Sequence, residues 1–176
     1  MYSNEYINQL QSLHSDRKRK QGFGGKVKKL GKFTEYMTYW RPSTLLDYGC
    51  GKGTILRHLE FLYPETKITG YDPAVSEYVD LPATTYDVLF SNDVLEHIEP
   101  EYIDQVLQHM SSLYKDFMWL RIDTIPARKT LPDGRNAHLI LKGKKWWLRK
   151  INENVQGAVI YCELTSKGKL DIAIQK

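Results

Sequence analysis

The stretch TLLDYGCGKGTILRHL, Thr44 to Leu59, decides how the rest of the chain reads. Thr44-Leu45-Leu46 is a short apolar run fit for a buried strand, and Asp47 stands where that strand ends, just ahead of Gly49, Gly51 and Gly53 at alternate positions. From Thr54 the apolar period changes: Ile55, Leu56, Leu59, Leu62 and Tyr63 share one helical face until Pro64 ends it. The order is strand, glycine loop, helix. Glycine has no Cβ and tolerates positive φ, so a ligand can lie against bare backbone while the unpaired N–H groups of the helix start point at it.

A second carboxylate narrows the ligand. Lys67 to Asp72 (KITGYD) reads as the next strand, and Asp72 follows the loop by about twenty residues, the spacing at which an acid accepts hydrogen bonds from ribose hydroxyls. An adenosine-type cofactor is implied, either a dinucleotide or S-adenosylmethionine (SAM). A dinucleotide fingerprint, G-x-G-x-x-G, places its third glycine where this chain has Thr54, and it has no need of an acid two residues ahead of the first glycine. The loop here is D-x-G-x-G-x-G. It resembles motif I of the class I SAM-dependent methyltransferases, and YDVLFSNDVLEHIEP (Tyr86 to Pro100) is similar to that family's fourth-strand motif.

The resemblance implies an α/β fold: a Rossmann-like, doubly wound, mostly parallel sheet with an antiparallel C-terminal strand. It implies SAM as cofactor and methyl transfer to an acceptor as the reaction. Carried over residue by residue, Asp47 positions the methionine end, Gly49 and Gly51 let the cofactor approach the backbone with Gly53 completing the loop, and Asp72 binds the ribose. Pro73 lies beside adenine, and Asn92 and Asp93 flank the sulfonium. The competing reading of Asp47 and Asp72 is a pair of strand-end carboxylates that cap the following turns.

Between Asp72 and the next strong strand, Tyr86 to Ser91, there is room for only Pro73 to Thr85, too little for a helix and a strand. One family strand is therefore expected to be lost or vestigial, with Val75 to Tyr78 as a turn or so of helix. Val79-Asp80-Leu81-Pro82 looks like the end of the family's third-strand motif, which makes Asp80 a candidate acceptor for the adenine amino group.

Three roles stay open for the LEH segment. Glu96 and His97 can cap or bond locally, which is the expectation adopted; His97 can act as general base. Some members of the family bind a divalent metal with a similar E-x-x-E-H and a later histidine, and here Asp93, Glu96, His97 and His138 have suitable ligand types, although no metal is assigned.

Further along, Ile103, Val106, Leu107, Met110 and Tyr114 lie on one helical face behind Pro100, with His109 on the surface or flank of that helix. Phe117 to Ile122 reads as a strand ending at Asp123-Thr124, and Pro126 to Asn136 as a loop with a Pro-Asp-Gly turn. A brief extended piece at His138 to Leu141, a helix from Lys144 through Ile151 and a closing hairpin (Gln156 to Thr165, Lys169 to Ile174) complete the chain. Trp146 and Trp147 sit among lysines; packing on the core is favoured over stacking against a nucleic-acid strand.

Ahead of the core strand, Tyr6, Ile7, Leu10 and Leu13 recur at helical spacing, and Val27, Leu30, Phe33, Met37 and Trp40 form a second stripe. Between them RKRKQGFGG (Arg17 to Gly25) is charged and glycine-rich. In the family this region commonly covers the cofactor, so Phe23, Gly24 and Gly25 are either a glycine-hinged lid or a plain connector. The chain is read as one domain, residues 1–43 forming a helical cap and 44–176 the core.

The formal charge of +4 hides a segregation: residues 1–32 hold eight bases against Glu5 and Asp16, and residues 126–150 hold eight against Asp133. A basic rim favours an anionic partner, nucleic acid or phosphorylated metabolite among them, or is simply a solvated surface. No run is apolar enough to span a membrane, and the polar N-terminus is unlike a signal peptide, so a cytoplasmic protein is expected. Cys50 and Cys162 match no metal or disulfide spacing. The alternatives kept beside the methyltransferase are a nucleic-acid-binding module on a degenerate methyltransferase fold and a nucleotide-dependent oxidoreductase.

Overall fold

The computed structural model describes residues 1–15 and 30–176. The Val27 end of the second stripe and the Phe23-Gly24-Gly25 lid fall outside them. Helices α1 (Asn4–Ser15) and α2 (Lys32–Trp40) precede β1 (Thr44–Tyr48), α3 (Thr54–Leu62), β2 (Lys67–Tyr71), β3 (Tyr86–Asn92), a short 3-10 helix (Leu95–His97), α4 (Ile103–Leu113), β4 (Tyr114–Asp123), α5 (Lys144–Asn154), β5 (Ala158–Leu164) and β6 (Lys169–Gln175).

The strands form one sheet in the order β2-β1-β3-β4-β6-β5. Pairings β1–β2, β1–β3 and β3–β4 are parallel, whereas β6 runs antiparallel to both β4 and β5. Alternation along each strand sends side chains to opposite faces. Leu45, Val88, Phe90, Phe117 and Trp119 meet Phe33 and Met37 of α2 and Leu59 of α3 on one side. Leu46, Leu89, Met118 and Leu120 meet Val106, Leu107 and Met110 of α4 and Trp147 and Ile151 of α5 on the other. Trp147 is fully buried, with Trp146 edge-on to it and Lys150 over the Trp146 ring, so this pair packs as expected.

The family strand expected to be missing is indeed absent: no strand lies between β2 and β3. Residues 73–85 form turns and irregular chain rather than a turn of helix, and they fold back on β2, Asp72 N–H donating to Tyr78 O at 2.8 Å. Gly70 permits this close cover. A Cβ there would lie 3.0 Å from Tyr78 Cδ1, and 2.6 Å from Leu56 Cδ1 on the side of α3. The expected extended piece at His138 to Leu141 is irregular as well, held by Ile140 N–H donating to Glu96 O.

From β1 the chain crosses through α3 to β2 on one side, and β3 lies on the other. The carboxyl end of β1 is therefore the switch point of the sheet, where the two crossovers diverge and leave a crevice. No helix among the described residues is long and apolar enough to cross a membrane.

Candidate functional site

Asp47 and the glycine loop sit at that switch point. Gly49, Gly51 and Gly53 adopt φ of 81°, 54° and 69°, a conformation that costs an L-residue about 1–2 kcal/mol, so all three glycines are required by the turn itself. Gly49 N–H and Cys50 N–H both donate to Tyr71 O, at 2.7 and 3.1 Å, which moors the loop to the end of β2. A Cβ on Gly49 would strike Val94 Cγ2 at 2.4 Å, and one on Gly53 would reach Tyr78 Oη at 2.6 Å. Gly53 is also the N-cap of α3 and offers no side-chain cap, so the amides of the first turn remain for a ligand.

Asp72 directly follows β2 with both carboxylate oxygens engaged: Oδ2 accepts from Gly51 N–H and Oδ1 from Ala74 N–H, each at 2.9 Å. These hydrogen bonds are those of the capping reading. Asp72 caps its own turn, and in doing so it bonds to the middle of the glycine loop. Asp47, only 2% exposed, is the opposite case. Its Oδ2 has no hydrogen-bond partner among the described residues, and burial, then the neighbouring charge of Asp72, pushes its carboxyl up to about 7. An unsatisfied buried oxygen of this kind fits a donor or cation brought by a ligand. Cys50 is buried and its thiol is pushed far up by burial and the nearby Asp47 and Asp72, the reverse of what a nucleophile needs. Pro73 follows Asp72 at half burial, while Asp80 is exposed on the irregular stretch.

A second cluster gathers at the carboxyl ends of β3 and β4. Asn92 closes β3, and Asp93 takes a left-handed φ of 56° that turns the chain toward the 3-10 helix. Glu96 is fully buried; Oε1 accepts from Asp123 N–H at 2.8 Å, and Oε2 has no partner among the described residues. Burial, with Asp93 next, raises its carboxyl to about 8. Lys169, at the start of β6, reaches Asp93 at 2.8 Å and also pairs with Asp123. His97 and His138 meet edge to face with ring centroids 4.7 Å apart. Burial, then the proximity of His138, lowers the His97 imidazole to about 4, which makes it a weak base at neutral pH.

Helix α1 covers this cluster. Ser3 N–H and Oγ–H donate to the two oxygens of Glu99 at 2.9 and 2.7 Å, Tyr6 Oη–H donates to His97 O, and Tyr6 and Leu13 pack on Leu131 and Ala137. His109, expected at the surface or flank of α4, is half-buried: Nδ1 shares a 3.1 Å hydrogen bond with Tyr48 Oη, and the ring meets Tyr48 and Tyr71 edge-on.

A methyltransferase-domain family model matches residues 16–159, most of the chain. The chain belongs to that family. No curated protein matches it by sequence. Among solved structures, 1,6-didemethyltoxoflavin-N1-methyltransferase from Burkholderia thailandensis, with bound 1,6-didemethyltoxoflavin and S-adenosylhomocysteine, is similar at a TM-score of 0.70 and 14% identity, over 98% of this chain and 89% of that one. Magnesium protoporphyrin IX methyltransferase from Synechocystis, with bound S-adenosylhomocysteine, gives 0.59 and 15% over 98% and 95%. An O-methyltransferase family protein from Burkholderia thailandensis gives 0.62 and 17% over 84% of this chain, which spans only 53% of its length. At these identities the likeness is one of fold. The sheet order with its single reversed strand is the methyltransferase Rossmann-like arrangement.

Within this family member, the residues singled out from sequence divide by place. Asp47, Gly49, Gly51, Gly53 and Asp72 converge on one end of β1 and β2, and Glu96, His97 and His138 converge beyond β3. Lys169 and Asp123 joined the second group without being foreseen. The position of Asp123 at the carboxyl end of a central strand could have flagged it; nothing in the sequence around Lys169 could.

Proposed function

We propose that the chain is a SAM-dependent methyltransferase, with the cofactor held at the glycine loop and a small acceptor beyond β3. The unpartnered, buried Oδ2 of Asp47 at the switch point carries this reading, because the methionine end of SAM brings an ammonium group that would satisfy it. Gly49, Gly51 and Gly53 would let the cofactor lie on bare backbone, and Asp72, already oriented by Gly51 and Ala74, would accept from the ribose hydroxyls. Pro73 and Asp80 would border adenine, and Asn92 and Asp93 the sulfonium side.

Bound SAM supplies an electrophilic methyl group, so the protein's task is to align the acceptor with it and, where the acceptor is protonated, to take up a proton. The low basicity of His97 speaks against that residue as the proton acceptor. The contacts of α1 with His97, Glu99 and the loop around Leu131 support reading residues 1–43 as a cap on a single methyltransferase domain. One solved structure of similar fold is a 1,6-didemethyltoxoflavin-N1-methyltransferase with its small acceptor bound, and this favours a small acceptor here.

Melting temperature with SAM, with S-adenosylhomocysteine and with NAD tests the assignment, because a ligand that binds only the native state raises it. SAM and S-adenosylhomocysteine should stabilise and NAD should not; stabilisation by NAD alone would overturn the proposal in favour of an oxidoreductase. A salt-dependent shift with RNA or DNA and none with SAM would overturn it in favour of the binding module.

A further inference from the structure

We infer that a cavity at the amino ends of β1, β3 and β4, at the opposite end of the sheet from the glycine loop, binds a small zwitterion of the α-amino-acid type. The cavity holds about 280 Å³ and is lined by Trp40 and Arg41 at the end of α2, Pro42 ahead of β1, Asp87 and Val88 of β3, and Asp116 of β4. Along β3, Asp87 and Asn92 are roughly 17 Å apart at the usual rise of a strand, so the cavity is remote from the crevice. It shares no residue with the proposed cofactor site, and the inference does not rest on the methyltransferase reading.

A β-bulge forms part of its wall. Tyr86 pairs with Tyr114 and Val88 with Phe117, so the single residue Asp87 faces both Lys115 and Asp116. An extra residue of this kind bends its strand and re-aims a side chain. Here the two neighbours divide: Lys115 Nζ reaches Asp87 Oδ1 at 3.5 Å and Thr44 N–H donates to Asp87 Oδ2 at 2.8 Å, while the Asp116 carboxylate lines the cavity with no partner among the described residues. The Arg41 guanidinium has no partner among them either. Arg41 takes a left-handed φ of 45° where α2 ends, its N–H donating to Met37 O at 3.0 Å, and this turn brings it to the cavity.

Charge decides the ligand class. Lys115 balances Asp87, which leaves one guanidinium and one carboxylate in the same cavity, both exposed and not paired with each other. A simple anion would meet Arg41 but face Asp116, and a simple cation would meet Asp116 but face Arg41. A molecule with one charge of each sign satisfies both, its carboxylate taken by the fork of Arg41 and its ammonium by Asp116. Trp40 adds a half-buried aromatic wall, stacked on the Phe117 ring at 6.2 Å between centroids, and buried Pro42 and Val88 give further apolar surface for a ligand side chain. Pockets for drug-sized ligands hold roughly 300–1,000 Å³, so about 280 Å³ suits a single amino acid rather than a nucleoside cofactor or a peptide.

The test uses L-leucine as probe, with its two singly charged relatives, 3-methylbutylamine and 4-methylpentanoate, as controls. The readout is the indole N–H resonance of Trp40 in the full chain, identified among the four tryptophans by its absence from Trp40→Phe. A saturable shift with L-leucine is expected, and binding about fivefold weaker for each control, the effect of losing one exposed ion pair. Arg41→Asn, whose new side chain tolerates the left-handed backbone, and Asp116→Asn should weaken leucine binding to a similar extent. Excess S-adenosylhomocysteine should leave the response intact, because leucine lodged where the methionine end of the cofactor belongs would be displaced by it. No shift up to the solubility limit of leucine overturns the site, as does a shift that S-adenosylhomocysteine abolishes or one that is unchanged in both variants. Binding of either control as tight as that of leucine overturns the zwitterion.

Discussion

The two ends of the crevice are built differently. At the proposed cofactor end, Asp47, three glycines and Asp72 come from a strand-loop-helix-strand unit of 29 consecutive residues, Thr44 to Asp72, and backbone amides do most of the bonding. At the far end, Asp93, Glu96, His97, Asp123, His138 and Lys169 come from the 3-10 helix and the turn before it, the end of β4, the loop after it and the start of β6. Charge pairing and burial bind that cluster together. A local backbone device can be written as a motif; a cluster gathered from four parts of the chain exists only once the sheet has formed.

If the cofactor end is a backbone device, the largest effect should come from changing backbone freedom. Gly51→Val puts a β-branched residue at φ 54° and should remove S-adenosylhomocysteine binding from calorimetric detection while circular dichroism still shows a folded α/β protein. Normal affinity in this variant would reduce the loop to a turn.

Asp72→Ala should weaken binding by tenfold or more, on the order of 1.5–3 kcal/mol for a charge-assisted hydrogen bond. It should also lower stability, because Gly51 N–H and Ala74 N–H would lose their acceptor. Unchanged affinity by calorimetry would leave Asp72 with its capping role only.

Lys169→Met sharpens the contrast from the other side. It leaves Asp93 and Asp123 facing Glu96 without their ammonium and should cost on the order of 1–3 kcal/mol in chemical denaturation, with S-adenosylhomocysteine affinity close to that of the parent. A large loss of affinity would show that the two ends are coupled.

The last effect is a pH slope. The Asp47 carboxyl is raised in the folded protein, to about 7 from an ordinary 3.8, so between those values the native state binds more protons than the unfolded one and stability falls as pH rises. Asp47→Asn should flatten that part of the profile of melting temperature against pH for the ligand-free protein. An unchanged profile would mean that Asp47 does not carry the buried charge.

The glycine loop, β1, α3, β2 and the closing hairpin were legible because each rests on a local signal: an apolar period, a breaker residue or a spacing. The missing strand was legible too, from the thirteen residues available between Asp72 and Tyr86. How residues 73–85 would cover β2 was not, since the fold-back depends on Tyr78 seating over Gly70, a contact no local pattern announces. At the second cluster the residue types Asp93, Glu96, His97 and His138 could be picked out, but the lysine that pairs Asp93 with Asp123 could not. That residue, Lys169, lies 76 positions from Asp93 in the chain. His109 shows the same limit: helical spacing placed it at a flank, and only the crossing of α4 over β1 and β2 brought it to Tyr48 and Tyr71.

The most direct test of the central claim is calorimetry of S-adenosylhomocysteine on the parent chain near neutral pH, with Gly51→Val as the control. Binding of one molecule per chain that disappears in the glycine variant is the predicted result. No heat of binding to a folded, monodisperse parent, or equal binding to both proteins, would contradict a cofactor site at the glycine loop.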